Sequence, residues 1–534
     1  MKFNLKVFSL IITAGLLLLA SCSKKLDLYP SNAKSPSEIF SNVDGYKSVL
    51  AKLYSTLSLT GASGPAGSPD IAGGLNEGSQ VAFIRSLFNL QELPTDEAVV
   101  AWNDQTIWDY HKLSWTSADP FLIGAYARPI WNITLINEYM RQATDEALAA
   151  NGISGDAATQ VKNTRGEARF LRAFNYWVML DLFGKSTFIT EEDGVGYFLP
   201  KEISRADLFK YIEQELKTAE TELAAIKTAE YGRVDQGAAD ALLARLYLNA
   251  GVYTGTTRYN DAITYAKKVI AGGYSMNANY RQVFMADNDK TSKNEMIFVA
   301  TCDGLNTKSY GNTTFFIHGA SGADNAEFGA NNGWFGYRAT SAFAALWSDL
   351  SGATDKRAMF KTSAFNATMS QAQISDISDF SNGLHINKYR NIRSDGAKVS
   401  DPNSEFSDID FPLIRLPEMY LIYAEAVLRG GTGGDASTAL GYVNSIRSRA
   451  GATTISSGQL DLQFLIDERG RELYWEGHRR TDLIRYNLLT TGTYLWPWKG
   501  GVAGGTSVNS KFNIYPVPEV NISSNSNLTQ NAGF

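Results

Sequence analysis

Apolar residues recur at helical spacing over much of the chain. In one segment they are three and four residues apart and so share one face of an α-helix: Ala239, Leu242, Leu243, Leu246, Tyr247 and Ala250. The alanines on this face leave room for a second helix to approach closely, so we assign the face to the core. The pattern predicts a mainly α-helical protein.

These helical faces also come in pairs, as in tetratricopeptide-like repeats, where two helices pack on each other and on the next pair. The spacing is complete around Ala424, where Val427, Ala436, Leu440 and Val443 follow at the expected positions. The sequence predicts helical pairs around 37–57 with 129–149, 165–223, 238–272 and 415–450. The spacing is weakest in the first of these pairs.

Two long inserts separate the predicted pairs, around residues 61–128 and 303–410. Both contain glycine-rich loops, and the second also holds Tyr310, Phe315, Phe316, Trp334 and Phe335. Loops of this length inside a compact protein are usually either functional or disordered, and their aromatic residues argue against disorder. We therefore expect the inserts to form a ligand-binding surface on a helical scaffold.

The N-terminal residues have the pattern of a targeting segment. Lys2 and Lys6 precede an apolar run over 7–20, which ends in the residues Leu-Ala-Ser-Cys at 19–22. We interpret residues 1–21 as a lipoprotein signal peptide, Cys22 as the lipidated residue and 22–36 as a tether to a body formed by 37–534. A plain secretory signal with an incidental cysteine is the alternative. No later run of eighteen apolar residues exists, so the anchor would be lipid alone.

Composition and motifs exclude several classes of function. The 534 residues include 49 basic and 55 acidic ones, and a net charge of −6 gives no electrostatic basis for binding nucleic acid. The motifs H-E-x-x-H and G-x-S-x-G are absent. Glu468, Glu472, Glu476 and His478 lie among several arginines, which favours a structural ion-pair network over a metal site. We therefore predict no metal, no cofactor and no catalytic residue.

Tryptophans beside polar residues are the clearest candidate for a binding site. One segment contains Trp102, Asn103, Asp104 and Trp108, and a second places Trp334 directly after Asn331-Asn332-Gly333. Aromatic rings contact the flat C–H faces of sugars, while amides and carboxylates hydrogen-bond to the hydroxyls. A core role is the competing interpretation for each tryptophan. Asp96 and Glu97 could form half of a glycosidase carboxylate pair, but in a chain with 55 acids this carries little specificity.

Several motifs recur in an order that is typical of one family. They are LDLYP at 26–30, EARFLRA at 167–173, LLARLY at 242–247, YAEA at 423–426, NSIRSRA at 444–450, ERGREL at 468–473 and YPVP at 515–518. By these motifs the chain resembles the SusD/RagB family of outer-membrane nutrient-binding lipoproteins over essentially its whole length. The resemblance implies a four-repeat tetratricopeptide scaffold and a location on the outer membrane, facing the cell exterior. It also implies a partner, a SusC-like TonB-dependent outer-membrane barrel.

Within that family, the segment from Phe88 to Asp104 is similar to the starch-binding branch. The similarity implies an oligosaccharide ligand, with starch or another α-glucan as the suggested type. It adds Glu77, Arg85, Tyr337 and Arg338 to the candidate binding residues. The expected function is non-enzymatic capture of the glycan and its delivery to the barrel. A lipid-anchored glycoside hydrolase and a tetratricopeptide protein-interaction scaffold are the alternatives.

Overall fold

The structure, a computed structural model, describes residues 35–62, 64–71, 73–360 and 368–534. The predicted signal peptide, Cys22 and all but the last two residues of the predicted tether lie outside the described residues. Helices dominate the described part and its strands are short, so the predicted mainly α fold with long irregular inserts is confirmed. Within these ranges, no helix has the length and apolar character needed to cross a bilayer.

Four pairs of helices form the scaffold. They are Val43–Ser55 with Pro120–Gln142, Arg165–Phe183 with Arg205–Glu222, Gln236–Leu248 with Tyr259–Ala271, and Leu416–Leu428 with Ala436–Ala450. Consecutive pairs also pack on each other, which produces one continuous stack. Ala239, Ala244 and Ala424 are fully buried where these helices meet. Their small side chains allow the close approach that the sequence pattern predicts.

The first pair differs from the predicted bounds. Its second helix begins at Pro120, after the capping residue Asp119, and ends at Gln142, with Pro129 in its interior. The sequence predicted this helix around 129–149, in the pair whose spacing is weakest. A separate short helix, Asp145–Ala150, covers the remainder of the predicted span.

Shorter elements fill the connections and the inserts. The remaining α-helices are Pro36–Ile39, Phe83–Gln91, Ile107–Lys112, Gly155–Asn163, Ala250–Thr254, Asn288–Thr291, Thr314–Gly319, Asn325–Phe328, Ser341–Ala344, Leu462–Leu473, Arg479–Arg485 and Glu519–Ser524. Short 3₁₀ helices span Tyr280–Phe284, Ser457–Gln459, Lys499–Gly501 and Ser510–Asn513.

Six short strands pair into three antiparallel sheets in the described part of the chain. They are β1 (Val99–Val100), β2 (Ser186–Phe188), β3 (Lys201–Ile203), β4 (Met296–Ala300), β5 (Tyr337–Arg338) and β6 (Phe411–Arg415). The pairs are β1 with β5, β2 with β3 and β4 with β6. The β1–β5 pair joins the two inserts, with Val99 opposite Arg338 and Val100 opposite Tyr337. This pairing brings the two tryptophan-containing segments together.

The glutamates of the segment 468–476 form a buried ion-pair network, as predicted. Glu472 contacts three arginines, Arg357, Arg415 and Arg449, and is fully buried. Among the described residues, no group of histidine, cysteine and acidic side chains could hold a metal ion. Of the arginines next to these glutamates in the sequence, Arg471 forms an ion pair with Glu468. Arg469 and Arg479 instead form ion pairs with aspartates outside the segment, Asp482 and Asp96.

Candidate binding site

Trp102 lies at the surface two residues after the end of β1. The backbone N–H of Ala101 donates to the carbonyl of Gly336 at 2.9 Å, which extends the β1–β5 pairing up to the tryptophan. Gly336 has a φ of +115°, and a Cβ on this residue would lie 2.6 Å from the Trp102 indole. Glycine is therefore required here for both the backbone conformation and the close packing of the ring.

Three half-buried aromatic rings form a continuous curved surface, which we call the aromatic arc: Trp102, Trp334 and Tyr310. The ring centroids of Trp102 and Trp334 are 6.3 Å apart and their planes are inclined by 54°. Those of Trp334 and Tyr310 are 6.0 Å apart, with an inclination of 57°. Because neighbouring rings are inclined by 54° and 57°, the arc is not a flat surface.

Trp334 is supported from behind by a buried histidine. The His318 imidazole is stacked on the Trp334 indole, with centroids 4.6 Å apart and planes 16° apart. Its two ring nitrogens face the backbone carbonyl oxygens of Asn332 and Glu405, at 2.9 Å and 2.7 Å. These contacts fix the imidazole, which covers one face of the Trp334 indole.

Tyr310 is held by a hydrogen bond at its hydroxyl group. The Tyr310 hydroxyl donates to Glu405 Oε1 at 2.5 Å. This bond raises the pKa of Tyr310 to about 12, so the hydroxyl keeps its proton at neutral pH. Glu405 therefore fixes the ring at the end of the aromatic arc through its side chain, while its backbone carbonyl fixes His318.

Arg85 and Tyr337 support Trp102 on its protein side. The guanidinium carbon of Arg85 is 5.5 Å from the Trp102 ring centroid, and Tyr337 meets the same indole edge to face at 5.1 Å. Tyr337 is only 1% exposed, and its hydroxyl donates to Asn89 Oδ1 at 2.7 Å. Tyr337 thus lies beneath the arc and holds Trp102 in place without facing the solvent.

Polar side chains border the arc beside Trp102 and Trp334. Asn103 and Asp104 are exposed directly after Trp102, and Asn331 and Asn332 are exposed directly before Gly333 and Trp334. Gln105 accepts a hydrogen bond at 2.5 Å from the amide of Gln80, and this bond fixes the segment that carries Asn103 and Asp104. Amide and carboxylate groups beside exposed rings can bind the hydroxyl groups of a sugar whose C–H face rests on the ring.

Besides the buried Tyr337, three predicted binding residues do not face the aromatic arc. The Trp108 indole N–H donates to the carbonyl of Val100, and its ring packs with Val99 against Ile374 and Ile377. Glu77 accepts hydrogen bonds from the Thr60 hydroxyl and the Gly67 N–H, and so shapes its own loop.

Arg338 is the third of these residues, and it is fully buried. Its guanidinium donates to the backbone carbonyls of Gly336, Ile377, Asp379 and Asn382. Burial lowers its pKa to about 10. A direct contact of Arg338 with ligand has no support in this geometry, because the guanidinium is enclosed by the loop that it binds.

Two residues of the site were not among the predicted binding residues. Tyr310 was visible only as one of several aromatic residues in the second insert, and no sequence feature linked it to Trp334. His318 lies on the short helix Thr314–Gly319, and its stacking on Trp334 depends on a loop that follows much later.

The acidic pair Asp96-Glu97 is buried and not part of this surface. Arg479 donates to both oxygens of Asp96, at 2.8 Å and 2.9 Å, and the Tyr494 hydroxyl donates to the same carboxylate. Glu97 is 1% exposed and accepts a hydrogen bond from the backbone N–H of Trp475. Both carboxylates are therefore held inside the protein by hydrogen bonds, and neither can reach a ligand bound at the arc.

A helical-repeat scaffold that carries a bent, half-exposed aromatic surface with a polar border defines a non-catalytic binding protein. The SusD family model, SusD_RagB, matches residues 240–534. The starch-binding protein SusD of Bacteroides thetaiotaomicron is 36% identical to this chain over 556 aligned residues, which cover 96% of each protein. The chain belongs to the SusD/RagB family, as its sequence motifs predicted.

Solved structures of the same superfamily share the fold. A laminarin-binding SusD-like protein superposes with a TM-score of 0.69 at 18% identity, covering 92% of this chain and all of that one. Surface glycan-binding protein A of Bacteroides fluxus gives a TM-score of 0.68 at 19% identity, over 92% of this chain and 99% of that one. The 36% identical relative is named for binding and not for a reaction, in agreement with the prediction that the chain is not an enzyme.

Proposed function

We propose that this protein binds an oligosaccharide at the aromatic arc and delivers it to a SusC-like TonB-dependent barrel in the outer membrane. The observation that carries the proposal is the arrangement of Trp102, Trp334 and Tyr310, three adjacent rings that each keep part of their surface exposed. Rings buried only for core packing would not form a connected surface with a border of exposed amide and carboxylate groups.

The curvature of the arc favours a bent glycan. Successive planes inclined by 54° and 57° suit a chain whose neighbouring sugar rings are inclined to each other, as in an α-glucan such as starch. A flat β-linked chain would stack well on one ring and lose contact with the next. The similarity to a starch-binding relative supports the same ligand class. We therefore propose starch-type α-glucan as the ligand.

The roles of the individual residues follow from their positions. Trp102, Trp334 and Tyr310 would stack on the sugar rings, and Asn103 and Asp104 would bind their hydroxyls. Arg85, Tyr337 and His318 would hold the rings in place.

We also propose that Cys22 carries the lipid anchor that keeps the protein at the outer membrane. A Cys22→Ala variant should lose acylation and membrane association, because both depend on this thiol. Radiolabelled palmitate incorporated equally by the variant and the wild type would contradict the anchor without bearing on glycan binding.

A glycan panel tests the ligand. Purified protein is titrated by calorimetry with maltoheptaose, laminarin oligosaccharides and cello-oligosaccharides, and each mixture is assayed for new reducing ends. We expect heat of binding with maltoheptaose and no new reducing ends. Binding of a β-linked glycan alone would overturn the α-glucan assignment while keeping glycan capture. New reducing ends would overturn the non-enzymatic function in favour of a hydrolase.

A further inference from the structure

A second concave surface with exposed aromatic residues lies away from the aromatic arc. It is a cavity of about 600 Å³ between the helix Pro120–Gln142, the loop that connects β2 and β3, and the helix Glu519–Ser524. We call it the hairpin cavity. Its volume falls in the range of known small-ligand sites, roughly 300–1,000 Å³. None of its lining residues belongs to the candidate binding site described above.

Aromatic side chains from two separate elements line the hairpin cavity. Trp131, on the helix, is half-buried, whereas Tyr197 and Phe198, on the β2–β3 loop, are 93% and 40% exposed. Such exposure of apolar surface to water is unfavourable, so exposed aromatic residues that line one cavity commonly mark a binding surface. Side chains that can hydrogen-bond stand beside the rings, namely Thr134, Asn521 and Ser524.

The walls of the hairpin cavity are fixed before any ligand binds. The Asn525 amide donates to the carbonyl of Pro200 at 2.9 Å, and the Asn527 amide donates to that of Leu199 at 2.9 Å. At the floor, the backbone N–H of Thr187 donates to the Tyr126 hydroxyl at 3.0 Å. The base of the β2–β3 loop is therefore tied to the C-terminal segment, which lowers the entropy cost of ordering the site upon binding.

The charged side chain that lines the hairpin cavity is paired with cations behind the wall. Asp70, on its wall, accepts two hydrogen bonds from Arg128, at 2.8 Å and 3.1 Å, and lies 3.5 Å from the Lys52 ammonium. Both cations also lie over the Trp131 ring, at 5.5 Å and 5.4 Å from its centroid. Asp70 is the one charged residue among the described residues of the lining and it is paired, so the lining offers no free charge to an ionic ligand and suits a neutral one.

The hairpin cavity shares a structural element with the aromatic arc. Asp70 and Ile71 line the cavity, and Gly78 of the same insert packs against Tyr310, where a Cβ on the glycine would lie 3.1 Å from that of the tyrosine. The two surfaces thus border one insert. We propose that the hairpin cavity is a second glycan site, which binds a neutral oligosaccharide segment by stacking on Tyr197, Phe198 and Trp131. It goes beyond the proposed function, which places the glycan at the arc alone.

A comparison of variants separates the two sites. The hairpin variant carries Tyr197→Ala and Phe198→Ala, the arc variant carries Trp102→Ala and Trp334→Ala, and a third protein combines all four. Tyr197→Phe, which keeps the ring, is the matched control. Each is tested by calorimetry with maltoheptaose and by mobility in native gels that contain soluble starch or laminarin. Tyr197 and Phe198 are exposed, so folding should be preserved, and circular dichroism checks this.

We expect the hairpin variant to keep most of the affinity for maltoheptaose, which fills the arc, and to lose about tenfold in retention by starch, where two sites act together. The arc variant should keep weak retention that the combined variant loses, and Tyr197→Phe should behave like the wild type. Unchanged retention of the hairpin variant, or no residual retention of the arc variant, overturns the second site and leaves the proposed function intact.

The opposite outcome would contradict the arc as the glycan site. In that outcome the hairpin variant loses retention by starch and the arc variant keeps it, which would support the hairpin cavity. Wild-type protein that binds none of the glycans would overturn both proposals. A hairpin variant that binds glycans normally but no longer co-purifies with an outer-membrane barrel would reassign the surface to a protein partner.

Discussion

The imidazole of His318 lies nearly parallel to the indole of Trp334, with centroids 4.6 Å apart and planes 16° apart. The two residues are joined further by a backbone hydrogen bond of 2.8 Å from the Trp334 N–H to the His318 carbonyl. His318 is buried and Trp334 is half-exposed. A surface ring of the candidate site is thus positioned by a core residue that touches no ligand.

This relationship predicts that His318 acts on binding through Trp334. His318→Ala would remove the stacked ring and let the indole move, which should weaken maltoheptaose binding by about 1 kcal/mol, roughly fivefold. His318→Phe, which retains a flat ring, should restore a large part of the affinity. Calorimetry gives the affinities, and the emission spectrum of tryptophan reports the environment of the indole. An affinity equal to that of the wild type in His318→Ala would contradict a positioning role.

The exposed tryptophans should matter for binding more than for stability. We expect Trp102→Ala and Trp334→Ala each to cost about 2 kcal/mol in binding, roughly thirtyfold in Kd, as for aromatic hot spots. Trp475, which is 1% exposed, is the matched control, because its loss should cost about 3–5 kcal/mol in stability. Calorimetry and thermal melts measure the two effects. A fall in Tm as large as that of Trp475→Ala would indicate that both tryptophans are core residues.

The scaffold was largely predictable from the sequence, whereas the site was predictable only in part. The alanine-containing stripes define helix faces by local spacing, so Ala424 and its neighbours revealed the repeats. The helix Pro120–Gln142 was placed too late, around 129–149, because the spacing of apolar residues is weakest in this pair. Tyr337 and Arg338 follow Trp334 closely, yet both are buried, since the β1–β5 pairing and a distant loop enclose them. Such enclosure depends on tertiary contacts that local patterns do not record.

Arg338 should contribute to stability more than to glycan affinity. Arg338→Ala would leave the carbonyls of Ile377, Asp379 and Asn382 without this donor, at a cost on the order of 3 kcal/mol in the free energy of unfolding. Arg338→Lys should recover a minor part, because one ammonium cannot reach the carbonyls that the planar guanidinium reaches. Urea unfolding measures the change. Loss of glycan affinity with unchanged stability would show that Arg338 contacts the ligand after all.

The close helix packing around Ala424 predicts a cost for added volume. Ala424 is fully buried, and its helix Leu416–Leu428 packs against both Tyr259–Ala271 and Ala436–Ala450. We expect Ala424→Leu to lower the free energy of unfolding by about 1–3 kcal/mol, since the larger side chain must separate the helices. Ala436→Leu, at an exposed position in the next helix, is the control and should change little. Equal melting temperatures for the two variants would contradict the assigned packing.

Glu92 and Glu97 form a buried carboxyl pair beneath β1 that should make stability depend on pH. Glu92 Oε1 accepts hydrogen bonds from the backbone N–H groups of Gly477 and His478, at 2.6 Å and 3.1 Å. Its other side-chain oxygen is buried and has no donor among the described residues apart from a proton shared with Glu97. Burial raises the pKa of Glu92 to about 7, and burial together with the charge of Glu92 raises the pKa of Glu97.

The direction of the pH effect follows from these raised pKa values. The folded protein holds a proton on this pair that the unfolded chain, with ordinary carboxyl pKa values, has already released above about pH 5. The free energy of unfolding should therefore decrease as the pH rises, by on the order of 2–3 kcal/mol between about pH 5 and 7, and the raised pKa of Glu97 extends the decrease to higher pH. Glu92→Gln keeps a hydrogen-bond donor toward Glu97 and removes one ionisable group, so its stability should vary less over this range.

Asp410→Asn is the control. Asp410 is a separate buried acid with a pKa raised to about 7 by burial, and its variant should retain the contribution of Glu92. Urea unfolding at pH values from 5 to 8 gives the comparison, and parallel curves for the wild type and Glu92→Gln would show that the pair does not share a proton.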